Sequence, residues 1–286
     1  MNPAEKIALL GFGDIANRLS AHLSNDHVVG VKRSHISHPT VTIETANCCD
    51  QKQMDQVMSA GFDVLVMTFT PTEMSDTGYQ QGYVKPVQTI LNALNQQAVK
   101  PRLIIFVSST SVYAQQDGSW VDERSPTEPE SYSGRRLLEA EKLIADSGYN
   151  YCHVRFSGIY GRGRGHLVEQ VLAGKGTPAE PAIYTNRIHA DDCAGVLAHL
   201  IKRQKTHAID NLYIASDHQP APLHEVKQWM RETLNLPENH FQENAPLTKR
   251  TARSNKRCGN ALLVESGYVF RYLSFKEGYA PLLKAD

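Results

Sequence analysis

The stretch KIALLGFGDIANRL (residues 6–19) runs an apolar segment straight into Gly11, Gly13 and Ala16, and then into helical spacing. Gly11 permits a sharp turn, Gly13 lets a bulky anion come up against the backbone, and Ala16 is small enough for a helix to pack closely on the strand. G-x-G-x-x-A between a first strand and a first helix predicts a dinucleotide pyrophosphate site, with Asp14 and Ile15, the first residues of the helix, beside it. A Gly-rich junction can also be no more than a tight turn. Its place at the head of an α/β chain is what gives it meaning.

That pattern continues for about 160 residues. KIALLG (6–11), HVVGV (27–31), TVTIE (40–44), DVLVMTF (63–69), LIIFVSS (103–109) and YCHVRFSG (151–158) read as strands, several of them apolar almost without interruption, as strands buried on both faces of a parallel sheet are. Helical spacing fills the gaps at 14–24, within 77–98 and at 132–147. Repeated strand, helix, strand units predict an α/β, Rossmann-type doubly wound parallel sheet. After Gly158 the rhythm loosens through YGRGRGH (160–166) and the loop-like GKGTPAEPA. A strand and helix in NRIHADDCAGVLAHLIKR and a strand at 211–216 follow. Beyond them come a helix at 223–235, a polar stretch at 238–255, and helical pieces near 258–266 and 275–284. The expected division is a dinucleotide-binding domain of residues 1–160 plus 186–216 and a small substrate-binding lobe of 161–185 plus 217–286.

Thirty basic residues balance thirty acidic ones, and no long run of like charge occurs, which argues against nucleic acid and membrane surfaces as partners. The five cysteines form no CxxC pair and read as reduced thiols. No apolar stretch approaches the roughly 18 residues of a membrane span, and the N-terminus lacks a leader pattern. The expectation is a cytoplasmic protein, monomer or homodimer, acting on a small molecule. A Ser/His/Asp hydrolase is disfavoured by the lack of a G-x-S-x-G elbow.

The end of the second strand bears on which dinucleotide binds. An acidic residue there would hold the ribose diol of NAD. This chain has Lys32, Arg33 and Ser34, which suit a 2′-phosphate, so NADP is expected, with NAD possible; the plainer reading is a solvated basic loop. Asp50 either hydrogen-bonds the adenine or caps the helix after it. Thr68, Phe69 and Thr70 end the fourth strand where ribose and phosphates would cross the sheet.

Several segments, in order, resemble the extended and atypical short-chain dehydrogenase/reductases of the NAD-dependent epimerase/dehydratase type. They are the loop 11–16, FDVLVMT, RLIIFVSSTSVYA, EPESYSGRR, VRFSGIYGRG, RIHADDCAGVL and the close SNKRCGNALLVESGYVFRYLSFKEGY. The resemblance spans nearly the whole chain. It implies that Tyr132 is the acid/base, that Ser109 orients the reacting oxygen with Thr110 as its neighbour, and that a Lys four residues after the Tyr holds the ribose and lowers the phenol pKa. Arg136 stands at that Lys position, with Arg135 alongside; Arg keeps the charge but exchanges a compact ammonium for a planar fork. Gly82 and Tyr83 stand where many members place an Asn that organises a water relay.

Arg162 and Arg164, in a Gly-rich loop, suit bidentate binding of an anionic substrate group, or are solvated arginines of a surface loop. His189 with Asp191 and Asp192 matches a structural motif of the family, and no metal is expected. The implied activity is Tyr-assisted hydride transfer on a small oxygenated substrate, sugar or nucleotide-sugar. The alternative is a catalytically degenerate NADP-binding sensor or interaction protein.

Overall fold

The computed structural model describes residues 4–241 and 254–284; most of the polar stretch expected at 238–255 lies outside them. The elements in chain order begin β1 (Lys6–Leu10), α1 (Asp14–Ser20), β2 (His27–Lys32), β3 (Thr42–Thr45), α2 (Gln51–Met58), β4 (Val64–Met67) and α3 (Asp76–Tyr79). A π-turn (Gln80–Val84), α4 (Lys85–Asn95), β5 (Leu103–Ser109), a 3-10 turn (Thr110–Val112), β6 (Trp120–Val121), α5 (Tyr132–Ala145) and β7 (Tyr151–Phe156) follow. The rest are β8 (Gly158–Tyr160), α6 (His166–Leu172), β9 (Tyr184–Thr185), β10 (Arg187–His189), α7 (Ala190–Arg203), β11 (Leu212–Ala215), β12 (Ala221–Pro222), α8 (Leu223–Thr233), a 3-10 turn (Glu238–His240), β13 (Arg257–Cys258), α9 (Ala261–Glu265) and α10 (Phe275–Leu283).

Seven strands make one sheet in the order β11-β7-β5-β4-β1-β2-β3. The registers Ile7 to Val64, Lys6 to His27, Val29 to Thr42 and Val64 to Leu103 all run parallel. The chain starts in the middle at β1, winds out to β3, returns to β4 and winds the other way, so the doubly wound fold expected from the apolar runs is the fold observed. Strand β4 is buried at every position, as a parallel strand covered on both faces must be.

The segment expected to be one long helix within 77–98 comes in three pieces, and local crowding gives the reason. A Cβ at Gly78 would lie 2.3 Å from the Glu73 carbonyl oxygen, and one at Gly82 would lie 2.6 Å from Pro71 Cα and from the Thr70 carbonyl oxygen. The backbone of α3 and the π-turn therefore presses directly on residues 70–73, which only glycine allows. Gly82 stands where a relay Asn was expected because no side chain fits there. In β2, Gly30 serves a similar end: a Cβ there would strike the buried ring of Phe12 at 2.6 Å.

Two compact units divide the chain. The first comprises residues 1–112, 128–155 and 194–213, and the second 113–127, 156–193 and 214–286. The second thus takes in 113–127, 156–160, 186–193 and 214–216 besides the residues expected of a small lobe. Its strands pair in twos, β8 with β10, β9 with β12 and β6 with β13, around an apolar cluster of Tyr160, Val171, Ala221, Val226, Met230, Phe275 and Tyr279. The Asp192 carboxylate accepts from the Arg271 and Tyr272 amides at 2.7 and 3.1 Å and from the Tyr268 hydroxyl at 2.8 Å, so the HADD motif is spent on holding the C-terminal segment.

The interior of the first unit holds polar groups as well. Arg155 of β7 donates to both carboxylate oxygens of Glu141 in α5, at 3.0 and 2.6 Å, and Ser108 of β5 donates to the same carboxylate at 2.6 Å. His153, one pleat from Arg155, lies between the rings of Phe106 and Tyr151 with neither ring nitrogen hydrogen-bonded. Burial pushes its imidazole down to about 4. The unfolded chain binds this proton below the ordinary histidine range while the folded chain refuses it, so stability drops as pH falls from about 6.5 to about 4. Comparing His153→Phe with wild type by urea titration at pH 7 and pH 4.5 should remove about 2 to 3 kcal/mol of acid-induced loss; an unchanged loss would refute the neutral buried imidazole.

Candidate functional site

The glycine turn is fixed from both sides by the sheet. The Val31 carbonyl at the end of β2 accepts from the Gly11 and Phe12 amides at 3.1 and 2.9 Å, and the Thr68 hydroxyl after β4 donates to the Gly11 carbonyl at 2.9 Å. Gly11 sits at φ +81°, and a Cβ there would meet the Phe69 ring at 2.9 Å and the Thr68 carbonyl oxygen at 3.2 Å. Gly13 differs, because the nearest atom to a Cβ there is the Gly11 carbonyl oxygen at 3.7 Å, and the residue is exposed. One glycine is demanded by the fold; the other leaves an open face. That open cradle, with Ile15 and Ala16 buried beneath it, fits a pyrophosphate held by backbone amides. Asp14 at the helix start is engaged by Arg18 at 2.8 Å.

Lys32 is half-buried at the end of β2, with Arg33 and Ser34 exposed after it. Neither cation makes an ion pair with a described residue, and Arg33 is near enough to Cys48 and Cys49 to act on their thiols electrostatically. Asp50 is the cap of α2: its Oδ1 accepts from the Gln53 amide at 3.0 Å, the second of its two sequence readings. Thr68 and Phe69 are half-buried and Thr70 is exposed.

Ser109 closes β5, half-buried, and its hydroxyl accepts from the Ser111 amide at 3.2 Å. Thr110 beside it is buried. Tyr132 opens α5, capped by Ser131, whose hydroxyl accepts from the Gly134 amide. A Cβ at Gly134 would fall 2.9 Å from the Ser111 carbonyl oxygen and 2.4 Å from Pro129 Cβ, so the first turn of α5 is seated against the turn that follows β5. The expected hydroxyl and the expected phenol thus belong to adjoining elements of one unit.

The cation is arranged differently from the expectation. Arg136 Nε and Nη2 donate to the two carboxylate oxygens of Asp76 at 2.8 Å each, and Nη1 donates to Glu139 at 2.7 Å. Those carboxylates, Asp76 first, raise the guanidinium further above its ordinary range, and Arg136 in turn lowers Asp76. One positive charge is shared between two negative ones. Arg135 is exposed and turned to the Glu130 carbonyl. The Tyr132 hydroxyl donates to the Met74 carbonyl at 2.7 Å, with the Tyr79 ring edge-on at 5.6 Å. Asp76 and Met74 were not singled out from the sequence; Asp76 is 60 residues from Arg136, and only tertiary structure brings them together.

Arg162 and Arg164 belong to the second unit, exposed on a loop that Gly161 at φ +142° and Gly163 at φ +80° make possible.

The family described as NAD(P)H-binding matches residues 11–204. Over nearly its whole length the chain is also 32% identical to a Methylobacillus flagellatus protein provisionally labelled an NAD-dependent epimerase/dehydratase, covering 98% of this chain and 97% of that one at a TM-score of 0.83. The chain belongs to this NAD(P)H-binding family. The fold alone is shared with a human epimerase family protein, SDR39U1 isoform 2, solved with NADPH (17% identity, 98% and 99% coverage, TM-score 0.73). It is shared likewise with the dTDP-glucose 4,6-dehydratase DesIV of Streptomyces venezuelae, solved with NAD and TYD (16% identity, 98% and 96% coverage, TM-score 0.79). No curated protein matches. A nicotinamide dinucleotide is therefore the cofactor class of this fold, and no helix among the described residues is long and apolar enough to cross a membrane.

The two glycines separate folding from binding. Gly11→Ala should lower Tm through backbone strain and the clash with Thr68. Gly13→Val should leave Tm within about 2 °C while weakening NADPH at least about tenfold, or about 1.4 kcal/mol. Thermal melts and NADPH fluorescence titrations read both, and retained affinity in Gly13→Val would refute the cradle.

Proposed function

We propose that the chain is an NADP-preferring oxidoreductase of the epimerase/dehydratase type, acting on a small oxygenated substrate of the sugar or nucleotide-sugar class. The observation that carries this reading is the gathering, in one unit, of the open Gly13 cradle, Thr68–Thr70 at the end of β4, Ser109 at the end of β5, and Tyr132 on the helix seated against the turn after β5. The bound cofactor supplies or receives the hydride. Residues Gly11 to Ile15 would hold its pyrophosphate and Thr68, Phe69 and Thr70 the stretch that crosses the sheet. Lys32 and Arg33, which make no ion pair among the described residues, would hold the 2′-phosphate with Ser34.

In this reading Tyr132 Oη gives a proton to the substrate oxygen, or takes one from it, as the hydride moves at the adjoining carbon. The Ser109 hydroxyl holds that oxygen and Thr110 supports the same wall. Arg162 and Arg164 are the candidates for an anionic substituent. A second reading, a cofactor-binding protein without turnover, is favoured by one observation: the guanidinium at the Lys position is already engaged at each of its three nitrogens by Asp76 and Glu139.

Arg33→Ala should raise the Kd for NADPH about tenfold and leave that for NADH within about twofold; an equal change for both would sink the 2′-phosphate assignment. Tyr132→Phe should abolish NADPH-dependent reduction of a dicarbonyl probe such as 9,10-phenanthrenequinone at unchanged NADPH affinity. An undiminished rate in that variant overturns the role of Tyr132, and no rate above background in the wild type with NADPH bound decides for the second reading.

A further inference from the structure

The stretch Glu73–Asp76, which follows β4 and runs into the first residue of α3, touches both of the groups on α5 that the reaction would use. The Met74 carbonyl accepts the Tyr132 hydroxyl, and Asp76 takes two of the three donor positions of Arg136. The strap is shaped to lie there. Ser75 caps α3 by accepting from the Gly78 amide at 2.9 Å, its hydroxyl donates to Glu73, and Gly78 has no side chain because Glu73 occupies that space. At its middle the Met74 side chain stands 66% exposed, so no apolar packing pins the strap at that residue. What fixes it to α5 is the hydrogen bond to Tyr132 and the fork of Arg136.

A Lys at position 136 could not make this attachment. An ammonium is a single point of charge, whereas the guanidinium offers Nε and Nη2 side by side to the two Asp76 oxygens. The Arg-for-Lys departure and the Asp76 contact are therefore one feature. We propose that Asp76 is a positioning residue that holds Arg136 turned toward α3 and so keeps the Met74 carbonyl of the strap on the Tyr132 hydroxyl, with turnover requiring the strap to lift. This rests on the proposed role of Tyr132 and adds to it the step that frees the phenol from its carbonyl partner.

The charges at the fork are Asp76 of α3 and Glu139 of α5, with Arg135 acting on Asp76 from the same helix as Arg136; Glu73 is held by Ser75, and the Tyr79 ring packs edge-on to Tyr132 with Tyr83 beside Tyr79. The Arg136 and Asp76 side chains are 25% and 51% exposed, so the pair is open to water and reversible on the scale that a binding event can supply.

The test uses the full chain with NADPH and 9,10-phenanthrenequinone, in which one carbonyl carbon takes the hydride and its oxygen takes the proton. In Asp76→Asn, kcat is expected to rise about threefold or more with KM for NADPH unchanged, a gain that structural damage does not produce, and Asp76→Glu should return it toward wild type. Hydrogen exchange gives an independent readout: the Gly78 and Tyr79 amides, which bond to Ser75, should exchange about tenfold faster in Asp76→Asn and in Arg136→Lys, with β1, β4 and β5 unchanged. An unchanged or lower kcat together with unchanged exchange overturns the proposal, and exchange alone decides if no variant reduces the probe. Should the gain persist in the Asp76→Asn, Tyr132→Phe double variant, the role of Tyr132 fails and with it this inference; a loss of all rate in Tyr132→Phe with no effect of Asp76→Asn fails the strap alone.

Discussion

The Glu141–Arg155 ion pair is the contact on which the first unit most depends, because it ties α5 by buried charge to β5 and β7, two neighbouring strands of the sheet. Both side chains are almost wholly buried, and the carboxylate also accepts the Ser108 hydroxyl. Burying two charges costs more than their attraction returns unless the geometry is good and the remaining acceptors are filled; here a bidentate fork and a hydroxyl fill them. Once formed, the pair is costly to break, since removing either partner strands the other in the core at about 3–5 kcal/mol. It fixes β5 and β7 against α5 in one register. Ser109 is the next residue after Ser108, and Tyr132 begins the helix that carries Glu141, so the groups proposed to react inherit their placement from a contact below them.

The site is thus a division between parts held rigidly and parts held loosely. The glycine turn is tied to β2 and β4 by backbone bonds and by Thr68, and α5 is tied to β5 and β7 by buried charge. The strap meets α5 through exposed contacts, and Lys32 and Arg33 make no ion pair among the described residues. Cofactor recognition can then draw on a preformed cradle, while access to the phenol depends on contacts that water already weakens.

How much of this was legible in the sequence follows from which interactions are local. The uninterrupted apolar runs at 64–67 and 103–106 announced a parallel sheet, because burial on both faces leaves no room for alternation. The turn at Gly11 and Gly13 was readable, since its requirement on backbone and space is stated by adjacent residues. The short strands β6, β8, β9, β12 and β13 were not, for two or three residues carry no period. Nor was the break of the 76–95 helix at the π-turn, which depends on Thr70 and Pro71 pressing on Gly82. The environment of Arg136 was hidden for the same reason: the residue named a departure from the family, but its partner lies on another element.

Gly82 bears on proton supply. The resemblance puts a water-ordering side chain at this position, whereas here the backbone of the π-turn is pressed against Thr70 and Pro71 and leaves no room for one. The neighbour that the Tyr132 hydroxyl does have is the carbonyl of Met74, an exposed residue of the strap. That bond is itself exposed to water. On the proposed role of Tyr132, release of the Met74 carbonyl frees the phenol both to react and to exchange its proton, so solvent isotope effects and strap opening should be governed by one barrier.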